Sequence, residues 1–256
     1  MGISYYNCSL WLKALTRSLS IIVPAWNEQS RLPETLRRVS QYLAAGDWAF
    51  YEILVVDDGS SDGTAQAAQQ FALANTCVRV LQNPGNRGKG YSVRHGVMEA
   101  RGEWCLFTDA DLSAPIEELS KLWSAVEVQG VEIAIGSRAL DRSLIGVHQP
   151  GMRETAGKVF NAVMRLLIGL NISDTQCGFK LFRTDVAKEI FSRQLLDRFG
   201  FDVEVLYIAD RRGYRIAEVP VRWNHVEGSK VGMLTGLWAF IELAEIRINR
   251  RLGRYR

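Results

Sequence analysis

Through the first half of the chain, short continuous apolar runs alternate with segments whose apolar positions recur every three or four residues. The runs at 20–24, 52–56, 78–81, 104–108 and 132–135 are too short for helices, and they predict strands buried on both faces. Between them, Leu32, Leu36, Val39 and Leu43 repeat at helical spacing. So do an Ala-rich stretch at 64–74, a stretch at 91–100, and the set Ile116, Leu119, Leu122, Trp123 and Val126. This alternation predicts an α/β fold with a central, mainly parallel sheet and helices on both faces. Such sheets bind ligands at the carboxyl ends of their strands.

Beyond residue 138 the pattern changes. Val159, Phe160, Val163, Met164 and Leu167 predict an amphipathic helix over 154–170, with Arg153, Lys158 and Arg165 as its cations. A second apolar segment, 234–248, runs into a tail containing Arg247, Arg250, Arg251, Arg254 and Arg256. Packing on the sheet is the ordinary fate of such helices; the basic flanks also suit the interface of an anionic membrane. No repeat, low-complexity tract or flexible linker divides the chain.

Candidate chemistry gathers where the strands end. Trp104-Cys-Leu-Phe-Thr-Asp-Ala-Asp-Leu112 runs an apolar strand into two carboxylates, Asp109 and Asp111. Burying them without a cation would be costly, and a divalent metal holding a diphosphate is a natural partner. Val23-Pro-Ala-Trp-Asn-Glu28 places Pro24 where the chain is expected to leave the sheet. Glu28 either favours the start of the next helix or meets a base or ribose. In Val55-Val-Asp-Asp-Gly-Ser-Ser-Asp-Gly-Thr64, Asp62 suits a capped turn, whereas Asp57 and Asp58 must point to opposite sides. One is expected to hold the loop while the other meets a ligand. Asn83-Pro-Gly-Asn-Arg-Gly-Lys-Gly90 is rich in glycine and cations but lacks P-loop spacing. It is either a tight connection or a place for Lys89 beside a phosphate.

Composition narrows the class of protein. A net charge of +3 is too small to suggest general nucleic-acid binding. Cys8, Cys77, Cys105 and Cys177 lack Cys-X-X-Cys spacing and neighbouring histidines, so reduced thiols are expected, with neither zinc nor disulfides. No apolar run approaches the roughly 18 residues of a spanning helix, and 8–15 contains Lys13 without a small-residue cleavage site. A cytoplasmic protein that meets a membrane only at its surface is therefore expected.

Taken together, Ile21-Ile-Val-Pro-Ala-Trp-Asn-Glu28, Val56-Asp-Asp-Gly-Ser-Ser-Asp-Gly-Thr64, Asp109-Ala-Asp-Leu112 and Gly136-Ser-Arg138 resemble the family 2 glycosyltransferases, inverting enzymes of the GT-A fold. Further along, Asp174-Thr-Gln-Cys-Gly-Phe-Lys-Leu-Phe182, Gly200-Phe-Asp-Val-Glu-Val-Leu-Tyr-Ile-Ala209, Glu218-Val-Pro-Val-Arg-Trp223 and Glu227-Gly-Ser-Lys230 are similar to the dolichyl-phosphate β-glucosyltransferase branch, a relative of the mannosyltransferases. The resemblance implies an N-terminal segment, 1–18, and one domain, 19–256. Within that domain, 19–138 would bind the nucleotide and 139–256 would face acceptor and membrane.

By the same resemblance, Pro24, Glu28, Asp57, Asp58 and Lys89 belong to the nucleotide-sugar site. Asp109 and Asp111 belong to the metal and donor diphosphate, with Mg2+ or Mn2+ suited to oxygen-only ligands. Arg138, Arg153 and Lys230 would guide diphosphate and acceptor, while Asp174 and Gln176 would contact the sugar or the metal-side loop. The implied reaction moves a hexose, glucose from UDP-glucose, to a polyprenyl phosphate at the cytoplasmic membrane face. GDP-mannose or another UDP-sugar is the nearest alternative donor. Asp109-Ala-Asp-Leu-Ser113 also fits, superficially, a haloacid-dehalogenase phosphatase, but it follows the fourth predicted strand and would leave Glu28, Asp57 and Asp58 unexplained.

Overall fold

The computed structural model describes residues 17–147, 164, 167–226 and 233–255. Its centre is a seven-stranded sheet built from β1 (Ser18–Ala25), β2 (Phe50–Asp57), β3 (Val78–Gln82), β4 (Trp104–Thr108), β5 (Ile133–Ser137), β7 (Phe179–Arg183) and β8 (Ile216–Pro220). The order across the sheet is β3-β2-β1-β4-β7-β5-β8. A small parallel pair, β6 (Ile145–Val147) and β9 (Trp223–Asn224), stands apart.

Helices α1 (Leu32–Ala44), α2 (Thr64–Ala74), α3 (Lys89–Glu99), α4 (Leu119–Gln129), α5 (Thr184–Phe191), α6 (Phe201–Arg211) and α7 (Met233–Arg251) cover the sheet. A 3-10 turn, Ile116–Glu118, precedes α4, dividing a segment that the apolar spacing treats as one helix. The spacing places the start of α3 at residue 91, but it begins at Lys89, since the glycine-rich loop turns directly into the helix. Most of the segment expected to be helical over 154–170 lies outside the described residues.

Alternate side chains of each strand enter opposite cores, as a sheet covered on both faces requires. Ile22, Leu54, Val56, Phe107, Ile135 and Phe182 pack with α3, α5 and α6 on one face. Ile21, Val23, Ile53, Val55, Leu106 and Leu181 pack with α1 and α4 on the other. Each fully buried side chain of this size contributes about 1.5–3 kcal/mol of burial free energy.

The sheet is mainly parallel, with one reversal. β7 runs antiparallel to both β4 and β5. Its amino end therefore sits beside the carboxyl ends of its neighbours, and β5 leaves the sheet at the edge where β7 enters it.

Pro24 does not end β1, contrary to the sequence expectation. The strand continues to Ala25, whose carbonyl accepts the Asp58 amide at 2.8 Å on the β2 side. Backbone groups alternate sides along a strand, so Pro24 faces β4, where the ladder already stops at Ile22 opposite Phe107. The missing N–H costs no sheet hydrogen bond there.

Candidate active site

The loops leaving β1 and β2 are tied together by their own polar residues. The Asn27 amide donates to Ser60 Oγ at 2.9 Å, the Glu28 amide to Thr64 Oγ1 at 2.7 Å, and the Ser61 amide to Asn27 Oδ1 at 2.8 Å. Asn27 takes a left-handed φ of 54°, a conformation in which asparagine is favoured. Glu28 lies just before α1, and its carboxylate accepts Arg31 Nε at 2.8 Å. Its carbonyl also receives the Arg31 and Leu32 amides, so its backbone takes part in starting the helix.

Asp57 and Asp58 divide, as expected of neighbours on a strand. Asp57 Oδ1 accepts the Ser60 amide at 3.3 Å, closing its own turn. Asp58 instead reaches across to the glycine-rich loop, accepting Asn83 Nδ2 at 2.8 Å, the Arg87 amide at 2.9 Å and the Gly88 amide at 2.8 Å. Both carboxylates are buried and both hold backbone. His95, which has no role legible in the sequence, supports this arrangement by bonding Asn83 Oδ1 through Nδ1 at 2.8 Å.

That loop delivers Lys89 to Asp109. The Lys89 ammonium lies 2.6 Å from Asp109 Oδ1, supplying the cation that the carboxylate needs. Burial opposes the lysine's charge, but the carboxylates of Asp109, Asp202 and Asp111 outweigh it and hold the ammonium above its usual range. Asp111 accepts the Ser113 amide at 2.9 Å. Burial, and then repulsion from Asp109, push its carboxyl upward. Leu112 follows in a left-handed conformation, φ 47°, with its side chain buried in the core to fix the turn. Such conformations are found where a fold imposes a functional geometry.

A second charged unit stands at the ends of β5 and β7. Asp174 grips Arg138 in a fork, with Oδ2 2.7 Å from Nε, Oδ1 2.8 Å from Nη2, and Oδ2 also 2.9 Å from the Arg138 amide. Glu218 orients the Asp174 loop by accepting the Ser173 amide at 2.9 Å and the Asp174 amide at 2.7 Å. The guanidinium lies over the Trp223 ring, 5.4 Å from its centroid. Burial would raise the Asp174 carboxyl, but the charge and hydrogen bonds of Arg138 hold it below its ordinary range. Gln176 contributes its amide to Asp174 Oδ1 at 3.3 Å. Asp174 is thus the direct anchor of Arg138. Arg153 and Lys230 lie outside the described residues.

Sequence reasoning singled out neither Lys180 nor Asp202. Lys180 is wholly buried, 2.5 Å from Asp202 and 2.6 Å from the Cys177 carbonyl, with its ammonium 5.0 Å from the Phe107 ring centroid. Asp202 also acts on Lys89, so acids and cations alternate from Asp109 through Lys89 and Asp202 to Lys180. A lysine inside the apolar run Phe179-Lys-Leu-Phe182 was the available signal. The free thiols Cys105 and Cys177 are buried, and burial pushes both up to about 12, so they are inert.

Among the described residues no cluster of three or more His, Cys, Asp or Glu side chains is placed to hold a metal. Asp109 and Asp111 nonetheless fit a divalent ion whose other ligands are phosphate and water oxygens. They form an oxygen-only set, Asp109 is about one-third exposed, and their mutual repulsion is what a dication relieves.

Comparison with known proteins agrees with this architecture. The model of the family "Glycosyl transferase family 2" matches residues 20–191. The chain is 39% identical to the dolichyl-phosphate beta-glucosyltransferase of Drosophila melanogaster, covering 88% of this chain and 72% of the relative. It is 36% identical to that of Homo sapiens, covering 97% and 80%. Among solved structures, glucosyl-3-phosphoglycerate synthase from Mycobacterium tuberculosis, in complex with Mn2+, UDP-glucose and phosphoglyceric acid, superposes with a TM-score of 0.67 at 17% identity, covering 96% of this chain and 85% of that one. This likeness shows a shared GT-A fold. The same synthase has also been crystallised with Mg2+ and UDP. On the family match and these relatives, the chain belongs to glycosyl transferase family 2.

Proposed function

We propose that this protein transfers glucose from UDP-glucose to a dolichyl-type polyprenyl phosphate, with inversion at the anomeric carbon. The observation that carries this reading is the Lys89–Asp109–Asp111 cluster at the carboxyl edge of β4, in a chain similar over most of its length to dolichyl-phosphate glucosyltransferases.

In this reading the tied loops carrying Pro24, Glu28, Asp57 and Asp58 form the nucleotide end of the cleft, and Asp58 keeps the glycine-rich loop shaped around it. Asp109 and Asp111 hold the divalent ion, which when bound neutralises charge on the departing diphosphate. Lys89 orients Asp109, and it presents positive charge where phosphate gathers. Arg138, fixed by Asp174 and Trp223, faces the acceptor side with one edge of its guanidinium committed to Asp174. A phosphate monoester acceptor has a second pKa of roughly 6 and is already a nucleophile near neutrality. No strong general base is required, which agrees with a site rich in ion pairs. Gln176, Arg153 and Lys230 complete the acceptor half of the proposed site.

The lipid substrate implies contact with a membrane. Among the described residues no helix is long and apolar enough to cross one. Ile241, Ile248 and Leu252 are exposed on and just after α7, flanked by the exposed Arg251, and this edge is proposed to rest on the cytoplasmic face of an anionic membrane. The Arg-rich tail is not simply solvated: Arg247 donates to the Leu167 carbonyl at 3.1 Å, and Arg254 to Asn249 Oδ1 at 3.0 Å.

The test is transfer of label from UDP-glucose or GDP-mannose to a short polyprenyl phosphate in detergent, with manganese or magnesium. Lipid-extractable label from UDP-glucose alone is the expected result. Label from GDP-mannose alone would reassign the donor, and no lipid product from either would overturn the acceptor.

A further inference from the structure

Lys89 sits between two glycines that are pressed against another part of the chain. A Cβ on Gly88, whose φ is +106°, would lie 2.4 Å from the Asp197 carbonyl oxygen. One on Gly90 would lie 2.7 Å from Phe201 Cβ and 2.8 Å from the Leu196 carbonyl oxygen. The loop 194–200 also caps the start of α3: the Gly90 amide donates to the Arg198 carbonyl at 3.2 Å, and the Tyr91 amide to the Asp197 carbonyl at 3.0 Å. One turn further on, Arg94 donates to the Gln194 carbonyl at 3.1 Å and pairs with Asp197 at 2.8 Å. The backbone that aims Lys89 at Asp109 is therefore shaped by 194–200.

That loop is in turn held by carboxylates from two helices. Glu204 on α6 accepts the Leu195 amide at 3.1 Å and the Leu196 amide at 2.9 Å through Oε2. Its other oxygen accepts the Tyr255 hydroxyl at 2.7 Å, and Tyr255 is buried with its ring 5.7 Å from that of Tyr207. Glu242 on α7 accepts the Gly200 amide at 2.8 Å and is also buried. Neither Tyr255 nor Glu242 belongs to the Asp109 cluster, yet both brace the segment that sets the position of Lys89.

We propose that Tyr255 and Glu242 are positioning residues for the transfer reaction: through the 194–200 loop they fix the start of α3 and so the Lys89–Asp109 pair. The proposal rests on the reading of that pair as part of the donor site. Helix α7 then has a task beyond covering the sheet, because the orientation of a charged group in the cleft depends on contacts made by the last described turn of the chain. Such an arrangement acts by pre-organisation, since misplacing a positioned group by about 1 Å can cost on the order of 100-fold in rate.

The experiment pairs backbone hydrogen exchange with kinetics in the full-length protein carrying Tyr255→Phe, Glu242→Ala or Glu242→Gln. Phenylalanine keeps the packing of Tyr255 and removes its hydroxyl, while glutamine retains an acceptor for Gly200. Exchange at Gly90 and Tyr91 is expected to quicken at least tenfold in Tyr255→Phe and Glu242→Ala, to remain within twofold of wild type in Glu242→Gln, and to stay unchanged in β1 and β2. Donor turnover should fall at least fivefold in the first two variants and recover in the third. Faster exchange at Leu195, Leu196 and Gly200 that does not spread to Gly90 and Tyr91 would overturn the proposal. Uniform quickening across the sheet would also overturn it, because the residues would then support only global stability. Exchange is read without any substrate, so failure of the glucosyl assignment and failure of the positioning role give different results.

Discussion

The two halves of the cleft are built by opposite means. On the β1–β4 side, functional carboxylates stand at strand ends and mostly hold backbone amides in neighbouring loops, as Asp57 and Asp58 do. On the β5–β7 side, charged residues hold one another: Arg138 with Asp174, and Lys180 with Asp202. The first side is a set of preformed loops that keeps Asp109 and Asp111 partly open. The second seals its charges in pairs and presents what remains of Arg138. Under the proposed function, donor recognition through shaped backbone and acceptor recognition through an anchored cation are the division this difference teaches.

The largest effect should come from the open side. Asp111→Ala is expected to lower transfer at least 1,000-fold, about 4 kcal/mol of transition-state stabilisation, with an unchanged circular dichroism spectrum; wild-type turnover would dissolve the contrast between the halves. On the sealed side, Lys180→Met leaves Asp202 buried without its ion-pair partner and should cost about 3–5 kcal/mol in urea unfolding. Adding Asp202→Leu should return most of that loss. Additive destabilisation in the double variant would show that the pair is not the unit.

The next effect is set by pH. Burial pushes Glu204 up to about 7 from the ordinary carboxylate range near 4.5. A raised folded-state value means that the native protein holds this proton more tightly than the unfolded chain. Stability contributed by the protonated group is therefore full below about 4.5, declines as pH rises toward 7, and is lost above it. The expected loss is about 3 kcal/mol at one proton per molecule, and Glu204→Gln should flatten the slope between pH 5 and 8 in urea titrations. An identical slope in both proteins would assign the proton elsewhere. The smallest effect concerns the outer edge of α7. Ile248→Glu with Leu252→Glu should reduce partitioning onto anionic vesicles several-fold while shifting stability by less than about 1 kcal/mol, as exposed substitutions do; unchanged partitioning would remove this edge from the membrane.

What was legible in the sequence follows the same division. A strand of the nucleotide half announces itself locally, by a short apolar run, and its acid follows at once, so Glu28, Asp57, Asp58, Asp109 and Asp111 could be picked out without a structure. Arg138 and Asp174 could be named but not paired, because they are 36 residues apart. Lys180 and Asp202 are 22 apart, and Glu204 and Tyr255 are 51 apart. No periodicity encodes such meetings. β7 is not legible as a strand in the sequence, since Lys180 interrupts its short apolar run; nor could its reversal be read, since a strand buried on both faces reads alike in either direction. Pro24 was misjudged because its effect depends on which neighbour its nitrogen faces, and that is decided by sheet order.

The reversed strand has an evolutionary consequence. Because β5 departs and β7 returns at the same rim, the chain between them makes an excursion whose two ends, Arg138 and Gly178, both lie at the cleft edge of the sheet. Lengthening such an excursion costs little, about 0.6 kcal/mol for each doubling of a flexible loop. The scaffold thus carries a port at the cleft rim, in the exposed stretch 139–143, where new chain can be fitted without disturbing the strands. One platform of strands can carry connections of very different size, and that exposed stretch, away from the Glu218–Asp174–Arg138 contacts, is the natural place for an engineer to begin.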